Sequence, residues 1–266
     1  MRVAVVGDVA GHLTELRVEL ARLGAIDDVL PDDLVVIQVG DLIHRGPDSD
    51  GVIALVDHYL RNQPTQWVQL IGNHEANYLR PPAFRWPQKL KRRSASTLRR
   101  WVHHREALVA AAISTDSEQI LVTHAGVTEE FWRTVIGAPP TALAAAERLN
   151  ELALRHDDDR LFAAGVMLGR PNAAAGPLWA EPVTELIPGW IDRPMPFSQV
   201  YGHSTVNDWV DPVSLPPLLA DRITSDPAAK HEYVAMDGGR LIGIDPGHHA
   251  YPTIPWRSFE VHGTVM

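Results

Sequence analysis

The sequence contains no cysteine. This absence excludes disulfides, iron–sulfur clusters and thiolate zinc sites, and it leaves histidine, aspartate, glutamate and asparagine as the side chains able to hold a metal ion. There is also no uncharged apolar run of about 18 residues, so no membrane span is predicted. The opening stretch MRVAVVGD is too short for a secretory signal. We therefore expect a cytoplasmic protein, which the absence of cysteine also fits.

Positive charge is scarce, since 24 lysines and arginines face 33 acidic residues and the net charge is −9. A protein with this net negative charge is repelled by the phosphate backbone of a nucleic acid, so we expect no generic nucleic-acid binding. The basic residues are nevertheless concentrated, because residues 76–105 hold nine of the 24 and no acidic residue. We predict a basic, helical, cap-like insertion around 80–110. It would either attract an anionic substrate or form a solvated helix face.

The 266 residues are enough for one large α/β domain or two small ones. Strands alternate with helical patterns in the first part of the chain, which predicts a parallel sheet with crossover helices. Two β-rich runs around 230–245 predict a hairpin, so we expect mixed sheets and a single domain over 1–266. An alanine-rich helix is predicted over 141–165 and an irregular segment over 170–197, which has six prolines. The other predicted strands are 3–6, 34–39, 67–71, 120–122 and 199–201.

A metal-capable side chain follows each of these five strands. In open α/β sheets, ligands bind at the carboxyl ends of the strands, so the five ends are expected to converge on one crevice. Carboxylates, an amide oxygen and imidazoles suit two divalent cations about 3.5–4 Å apart, bridged by one aspartate. They suit Mn²⁺, Fe or Zn²⁺ better than Ca²⁺. The residues are Asp8, Asp41, Asn73 with His74, His124 and His203.

The series GDVAGH, GDLIHRGPDS, GNHE, THAG, YGHS and IDPG resembles the calcineurin-like metallophosphoesterase superfamily. More narrowly, it resembles the phosphoprotein phosphatase branch, which includes the symmetrical diadenosine tetraphosphatases. The matches run from residue 7 to residue 247. The resemblance implies a four-layer α/β sandwich of mixed sheets flanked by helices. It also implies a metal-dependent phosphoesterase in which a hydroxide bridging two divalent ions attacks phosphate esters or anhydrides, with Mn²⁺ expected and Fe or Zn²⁺ as alternatives.

The resemblance further implies a role for each site residue. His74 matches the general acid that protonates the leaving-group oxygen. Arg45 matches the arginine that grips the phosphate with its planar fork of donors. The implied metal ligands are Asp8 for the first ion, Asp41 for both ions, and Asn73, His124 and His203 for the second ion.

The sequence departs from the family pattern at two positions. Ala10 stands where the family usually has the histidine of Asp-x-His, so only Asp8 and Asp41 remain at the first metal position. We therefore expect that position to be weak. His12 either replaces the missing ligand from a shifted place or simply begins the next helix facing solvent. His44 stands where the protein phosphatases have an aspartate that orients the catalytic histidine.

The motifs leave the substrate open. GDLIHRGPDS is closer to the diadenosine tetraphosphatases, whereas GNHE points to the serine/threonine protein phosphatases. The expected substrate is a phosphorylated small molecule, a nucleotide or a phosphoprotein. A degenerate member that binds a phosphorylated ligand without turnover is the alternative from another class. Trp86 and Trp101 could stack on a base or pack in the core.

Overall fold

Two mixed β-sheets form the centre of the molecule. The computed structural model describes residues 1–155, 158–210, 217–248 and 255–266. The strands are β1 (Arg2–Val6), β2 (Leu34–Gln38), β3 (Trp67–Leu70), β4 (Ala107–Leu108), β5 (Ala110–Ser114), β6 (Gln119–Thr123), β7 (Ser198–Tyr201), β8 (Ile223–Asp226), β9 (His231–Met236), β10 (Gly239–Gly243), β11 (Phe259–His262) and β12 (Thr264–Val265).

The strand order explains how the site residues meet. The first sheet has the order β11-β1-β2-β3-β4 and the second the order β12-β5-β6-β7-β10-β9-β8. Strands β1, β2 and β3 are mutually parallel, as are β6, β7 and β10. Since β4 is also parallel to β3, the first sheet presents four consecutive carboxyl ends at one edge and the second presents three, and ligands bind at such edges.

Helices cover the outer faces of both sheets. The long ones have an apolar stripe at helical spacing; α2, for example, buries Val52, Val56 and Tyr59. The helices are α1 (Leu13–Leu23), α2 (Ser49–Asn62), α3 (Asn73–Leu79), α4 (Arg92–His103), α5 (Glu129–Thr134), α6 (Ala142–Ala153), α7 (Ile187–Trp190) and α8 (Pro217–Ala220), with 3₁₀ turns at Arg160–Phe162 and Val166–Leu168 and a π turn at Pro182–Leu186.

The core lies in layers. The inner faces of the two sheets pack on each other through Val5, Ile37, Val122 and other buried aliphatic residues of both sheets. A second cluster fills the space between the first sheet and α1, α2 and α4, and a third lies between the second sheet and α6. This helix–sheet–sheet–helix arrangement confirms the predicted mixed α/β fold. Within the part of the chain that the structure describes, no helix is long and apolar enough to cross a membrane.

Two secondary-structure predictions need correction. The alanine-rich helix ends at Ala153 rather than near 165, and residues 156–157 of that prediction lie outside the described residues. Aspartates follow at 157–159, and acidic residues oppose the dipole at a helix C-terminus. The irregular segment predicted over 170–197 is wrong for 182–190, which is helical. Glu181 caps this stretch by accepting hydrogen bonds from Val183 N and Thr184 N.

Candidate metal centre

The structure brings the predicted site residues together at the facing ends of the two sheets. Asp8 and Asp41 follow β1 and β2, and Asn73 begins α3 directly after β3. His124 and His203 follow β6 and β7 of the other sheet. All five are buried. The oxygens of Asp8 and Asp41 and a ring nitrogen of His124 lie within 4.8 Å of one another, a spacing that could hold a metal ion.

Several of these loops have left-handed backbone. Asp41 has φ +53°, His203 φ +69°, His44 φ +73° and Arg45 φ +62°. Residues other than glycine seldom adopt such angles, and they do so where the surrounding structure fixes them, often at functional sites. Such angles also occur elsewhere in the chain, but four of them fall in the segments that present the predicted ligands and the predicted phosphate-binding arginine.

The hydrogen bonding of His124 tests whether the residues fit a metal ion. Its Nδ1 lies 3.1 Å from the carbonyl oxygen of Val39, so Nδ1 carries the proton and donates. Its Nε2 therefore presents a lone pair. The Nε2 atom lies 3.2 Å from Asn73 Oδ1, 3.1 Å from His203 Nδ1 and 3.6 Å from Asp41 Oδ1. Several hydrogen-bond acceptor atoms therefore converge here. A cation between them is the partner that these ligand atoms fit.

The electrostatics of the centre agree with that conclusion. Burial lowers the pKa of His124 and of His203, and repulsion between the two rings lowers the His203 pKa further. Both imidazoles are therefore neutral at pH 7, which is the form that binds metals. Burial raises the pKa of Asp8, and repulsion from Asp245 and Asp41 adds to the rise. A bound cation would remove that repulsion.

Glu75, which the sequence did not single out, holds the loop of Asp41 in place. Its Oε2 accepts hydrogen bonds from Asp41 N (2.7 Å) and Gly72 N (2.9 Å), and its Oε1 accepts one from Leu42 N (3.0 Å). Asp41 Oδ1 in turn accepts from His74 N at 3.0 Å. The Glu75 side chain thus links the backbones of the GNHE and GDLIHRG motifs. These bonds fix the positions of the Asp41 and Glu75 carboxylates.

His74 lies beside the predicted ligands and is held by a second histidine. Its Nδ1 is 2.6 Å from His44 Nδ1, and His44 Nε2 is 3.0 Å from the Tyr78 hydroxyl. Burial lowers the pKa of both His74 and His44 to about 4. Since both nitrogens of His44 have partners, this ring can donate to His74 or accept from it. A hydrogen bond between the two Nδ1 atoms restricts the orientation of the His74 ring.

The opposite nitrogen of His74 faces the site. His74 Nε2 lies 3.9 Å from Asp41 Oδ2 and 3.5 Å from Arg45 Nη2. Trp86 covers this corner, with its ring 4.8 Å from that of His74 and 5.8 Å from the Arg45 guanidinium carbon. Phe84 contacts His74 from another side, at a ring separation of 5.0 Å. Trp101, by contrast, packs in the core.

His12 lies at the start of α1 but is buried rather than facing solvent. Its Nδ1 is 3.8 Å from Glu15 Oε2, and its ring stacks on His248 with a centroid separation of 4.3 Å. It does not belong to the ligand group formed by Asp8, Asp41 and His124. The geometry therefore gives no support to His12 as the shifted ligand.

A cavity of about 540 Å³ opens directly beside Asn73. Much of its wall is apolar. The guanidinium carbon of Arg80 lies 4.2 Å from the Phe162 ring centroid, and this guanidinium pairs with Asp159. The lining residues are Asn73, Ala76, Asn77, Arg80, Pro81, Ala83, Asp159, Arg160, Phe162, Ala163 and Trp179.

Three features of this surrounding shell were not predicted. The partnership of His44 with Tyr78 has a local signal, because His74 and Tyr78 are four residues apart on α3 and so share a face. The bond from Gly72 N to Glu75 follows the local capping-box spacing, whereas the bonds from Asp41 and Leu42 and the cavity wall around Phe162 depend on residues far apart in sequence.

The family model of the calcineurin-like phosphoesterases matches residues 1–207, and the chain belongs to that family. The cold-active protein-tyrosine phosphatase of a psychrophilic Shewanella species has a similar fold, with a TM-score of 0.52 and 15% identity over 94% of this chain and 72% of that one.

Two curated relatives share sequence with the chain. The zinc-dependent endopolyphosphatase of Saccharomyces cerevisiae is 38% identical over 93 residues, which are 32% of this chain and 26% of that protein. The symmetrical bis(5'-nucleosyl)-tetraphosphatase of Pectobacterium atrosepticum is 27% identical over 180 residues, which are 65% of this chain and 57% of that protein. The matches therefore span about half or less of either relative.

Proposed function

We propose that the chain is a metal-dependent phosphoesterase that hydrolyses phosphate esters or anhydrides. The observation that carries the proposal is that Asn73 Oδ1 and Asp41 Oδ1 lie 3.2 Å and 3.6 Å from the same atom, His124 Nε2. Two divalent ions, when bound, would activate water and neutralise charge on the phosphoryl oxygens. Mn²⁺ is our expected ion, with Fe or Zn²⁺ as alternatives. We expect Asp8 and Asp41 to hold the first ion, and Asp41, Asn73, His124 and His203 to hold the second.

The remaining site residues would act on the substrate. Arg45 can offer paired donors to two phosphate oxygens, which a planar guanidinium matches and an ammonium does not. His74 can give the proton on Nε2 to the leaving-group oxygen. A phosphate dianion bound beside it would raise the low pKa of His74 and so favour the protonated ring. His44, with Tyr78 behind it, would keep Nε2 aimed at that oxygen.

The cavity favours a nucleotide or dinucleoside polyphosphate over a phosphoprotein. It begins at Asn73, so a leaving group in it would be continuous with a phosphate at the centre. The Phe162 ring could stack on a base, as aromatic rings do in nucleic-acid binders. Asn77 Nδ2 is a buried donor without a hydrogen-bond partner among the described residues, and it could meet a ring acceptor. The P. atrosepticum relative, named for its action on bis(5'-nucleosyl) tetraphosphates, points the same way.

Comparing three substrates tests both the proposed phosphoesterase activity and the proposed preference for a nucleotide. With added Mn²⁺, we expect turnover of p-nitrophenyl phosphate and diadenosine tetraphosphate, and less of a phosphoserine peptide. Phe162→Ala should raise the KM for diadenosine tetraphosphate by roughly 5- to 150-fold, because stacking on a base is worth about 1–3 kcal/mol. The KM for the peptide should not change. Equal shifts for both substrates would reject the base pocket, and the absence of turnover of all three would favour a protein that only binds phosphorylated ligands.

The segment 80–110 has a mixed role in this proposal. Helix α4 packs on the core through Leu98 and Trp101, and Arg100 pairs with Asp57 and Glu106. The preceding loop brings Phe84 and Trp86 against His74. We propose that this loop, rather than the helix, caps the site, and that residues 1–266 act as one cytoplasmic metallophosphoesterase domain.

A further inference from the structure

The end of strand β10 reaches the same crevice as the predicted ligands. β10 runs parallel to β7, with Gly243 opposite Tyr201. Ile244 N donates a hydrogen bond to the Tyr201 carbonyl oxygen at 2.8 Å. Asp245 therefore follows β10 at the edge where His203 follows β7.

The loop of Asp8 touches this strand end from the other sheet. A side chain at Gly7 would place its Cβ 2.1 Å from the Ile244 carbonyl oxygen and 3.1 Å from Pro246 Cδ. The Ile244 carbonyl and the Pro246 ring, on either side of Asp245, thus pack directly against the residue before Asp8. Asp245 lies between the two loops that present Asp8 and His203.

The carboxylate of Asp245 is only partly satisfied. It is 2% exposed, and its Oδ1 accepts a hydrogen bond from Gly247 N at 2.8 Å. Its Oδ2 and Asp8 Oδ2 are both buried, and neither has a hydrogen-bond partner among the described residues. Two buried carboxylate oxygens without donors are stabilised by a proton or by a cation.

The same region lacks the ligand that the family pattern provides. Ala10 is fully buried and has no donor atom in its side chain. We propose that the Asp245 carboxylate compensates for the ligand that Ala10 cannot supply by placing a third negative charge beside the first divalent ion. Asp245 lies outside the group of ligand atoms formed by Asp8, Asp41 and His124, so it acts on the ion from behind the Asp8 carboxylate. Such an oxygen-rich surrounding favours Mn²⁺ or Mg²⁺ over Zn²⁺. The inference rests on the proposed function only in requiring a cation beside Asp8.

The first test uses Asp245→Asn without metal. Asparagine keeps the acceptor for Gly247 N and removes one of the repelling charges, so the metal-free variant should unfold at a higher temperature than the metal-free parent. Added Mn²⁺ should raise its unfolding temperature less than it raises that of the parent. The matched control is Asp237→Asn in the exposed β9–β10 turn, which should behave like the parent. A metal-free Asp245→Asn protein that is destabilised or unfolded would contradict the proposal.

The second test counts Mn²⁺ by calorimetric titration of the full chain. Asp245→Asn should weaken one class of Mn²⁺ site by at least about 10-fold, the lower end of what residues that merely support metal ligands contribute. Ala10→His added to that variant should restore the site, whereas His12→Ala alone should leave the parent isotherm unchanged. An isotherm of Asp245→Asn that matches the parent overturns the inference. Since binding is measured, the result stands whether or not the chain hydrolyses any phosphate ester.

Discussion

Asp41→Asn is expected to abolish hydrolysis of p-nitrophenyl phosphate. Asp41 is the carboxylate that we assign to both ions; its ligand atom lies within 4.8 Å of those of Asp8 and His124, and its Oδ1 is 3.6 Å from His124 Nε2. Removing its charge should weaken both ions together. The loss should exceed about 1000-fold, well above the 10- to 100-fold typical of residues that only orient ligands.

The control for this variant lies in the same motif. Asp48→Asn makes the same substitution at the N-cap of α2, where Asp48 Oδ1 accepts a hydrogen bond from Gly51 N. Asparagine caps helices as well as aspartate does, so this variant should retain activity. Turnover and Mn²⁺ binding should be measured for both variants and the parent. An Asp41→Asn protein that binds Mn²⁺ and turns over like the parent would show that the ions, if any, are held elsewhere.

His74→Asn is expected to slow the hydrolysis of substrates with poor leaving groups far more than that of substrates with good ones. Phosphoserine needs a proton on its departing oxygen, whereas p-nitrophenolate leaves without one. Loss of the acid should therefore slow a phosphoserine peptide by roughly 10²- to 10⁴-fold, and p-nitrophenyl phosphate much less. The measurement is kcat/KM for both substrates.

The same substitution at an exposed histidine is the control. His58→Asn on α2 lies away from the centre and should leave both rates unchanged. If His74→Asn slows both substrates by the same factor, His74 positions the phosphate or the ligands and does not act as the acid. His44→Asp, which restores the residue of the protein phosphatases, should keep the difference between the leaving groups, because an aspartate can also orient the ring.

Sequence patterns were sufficient where the signal is local. A short apolar run followed by Gly-Asp predicts a buried strand and the carboxylate after it, and this reasoning located Asp8 and Asp41. Parallel strands then bring such ends to one edge. The same rule predicted that all five strand ends converge, but His124 and His203 lie on a second sheet, so their position depends on how the two sheets pack.

Patterns failed where the determining contacts are distant or where a local rule misled. The prolines over 170–197 predict an irregular segment, yet Pro182 stands in the first turn of a helical stretch, where its missing N–H costs nothing. Asp245 belongs to a quoted motif, but its relation to Asp8 arises from β10 packing against the first loop, 237 residues earlier in the chain. The Asp-Pro-Gly sequence alone predicts a turn.

The dependence of turnover on metal tests the central claim most directly. The full chain would be depleted of metal with a chelator, assayed on p-nitrophenyl phosphate, and titrated with Mn²⁺ while bound metal is counted. We predict no turnover in the depleted protein and recovery as Mn²⁺ rises, with full activity at two ions per chain. Turnover that persists after complete depletion, or Mn²⁺ that binds without restoring any, would contradict the assignment of this centre as the catalytic site of a metallophosphoesterase.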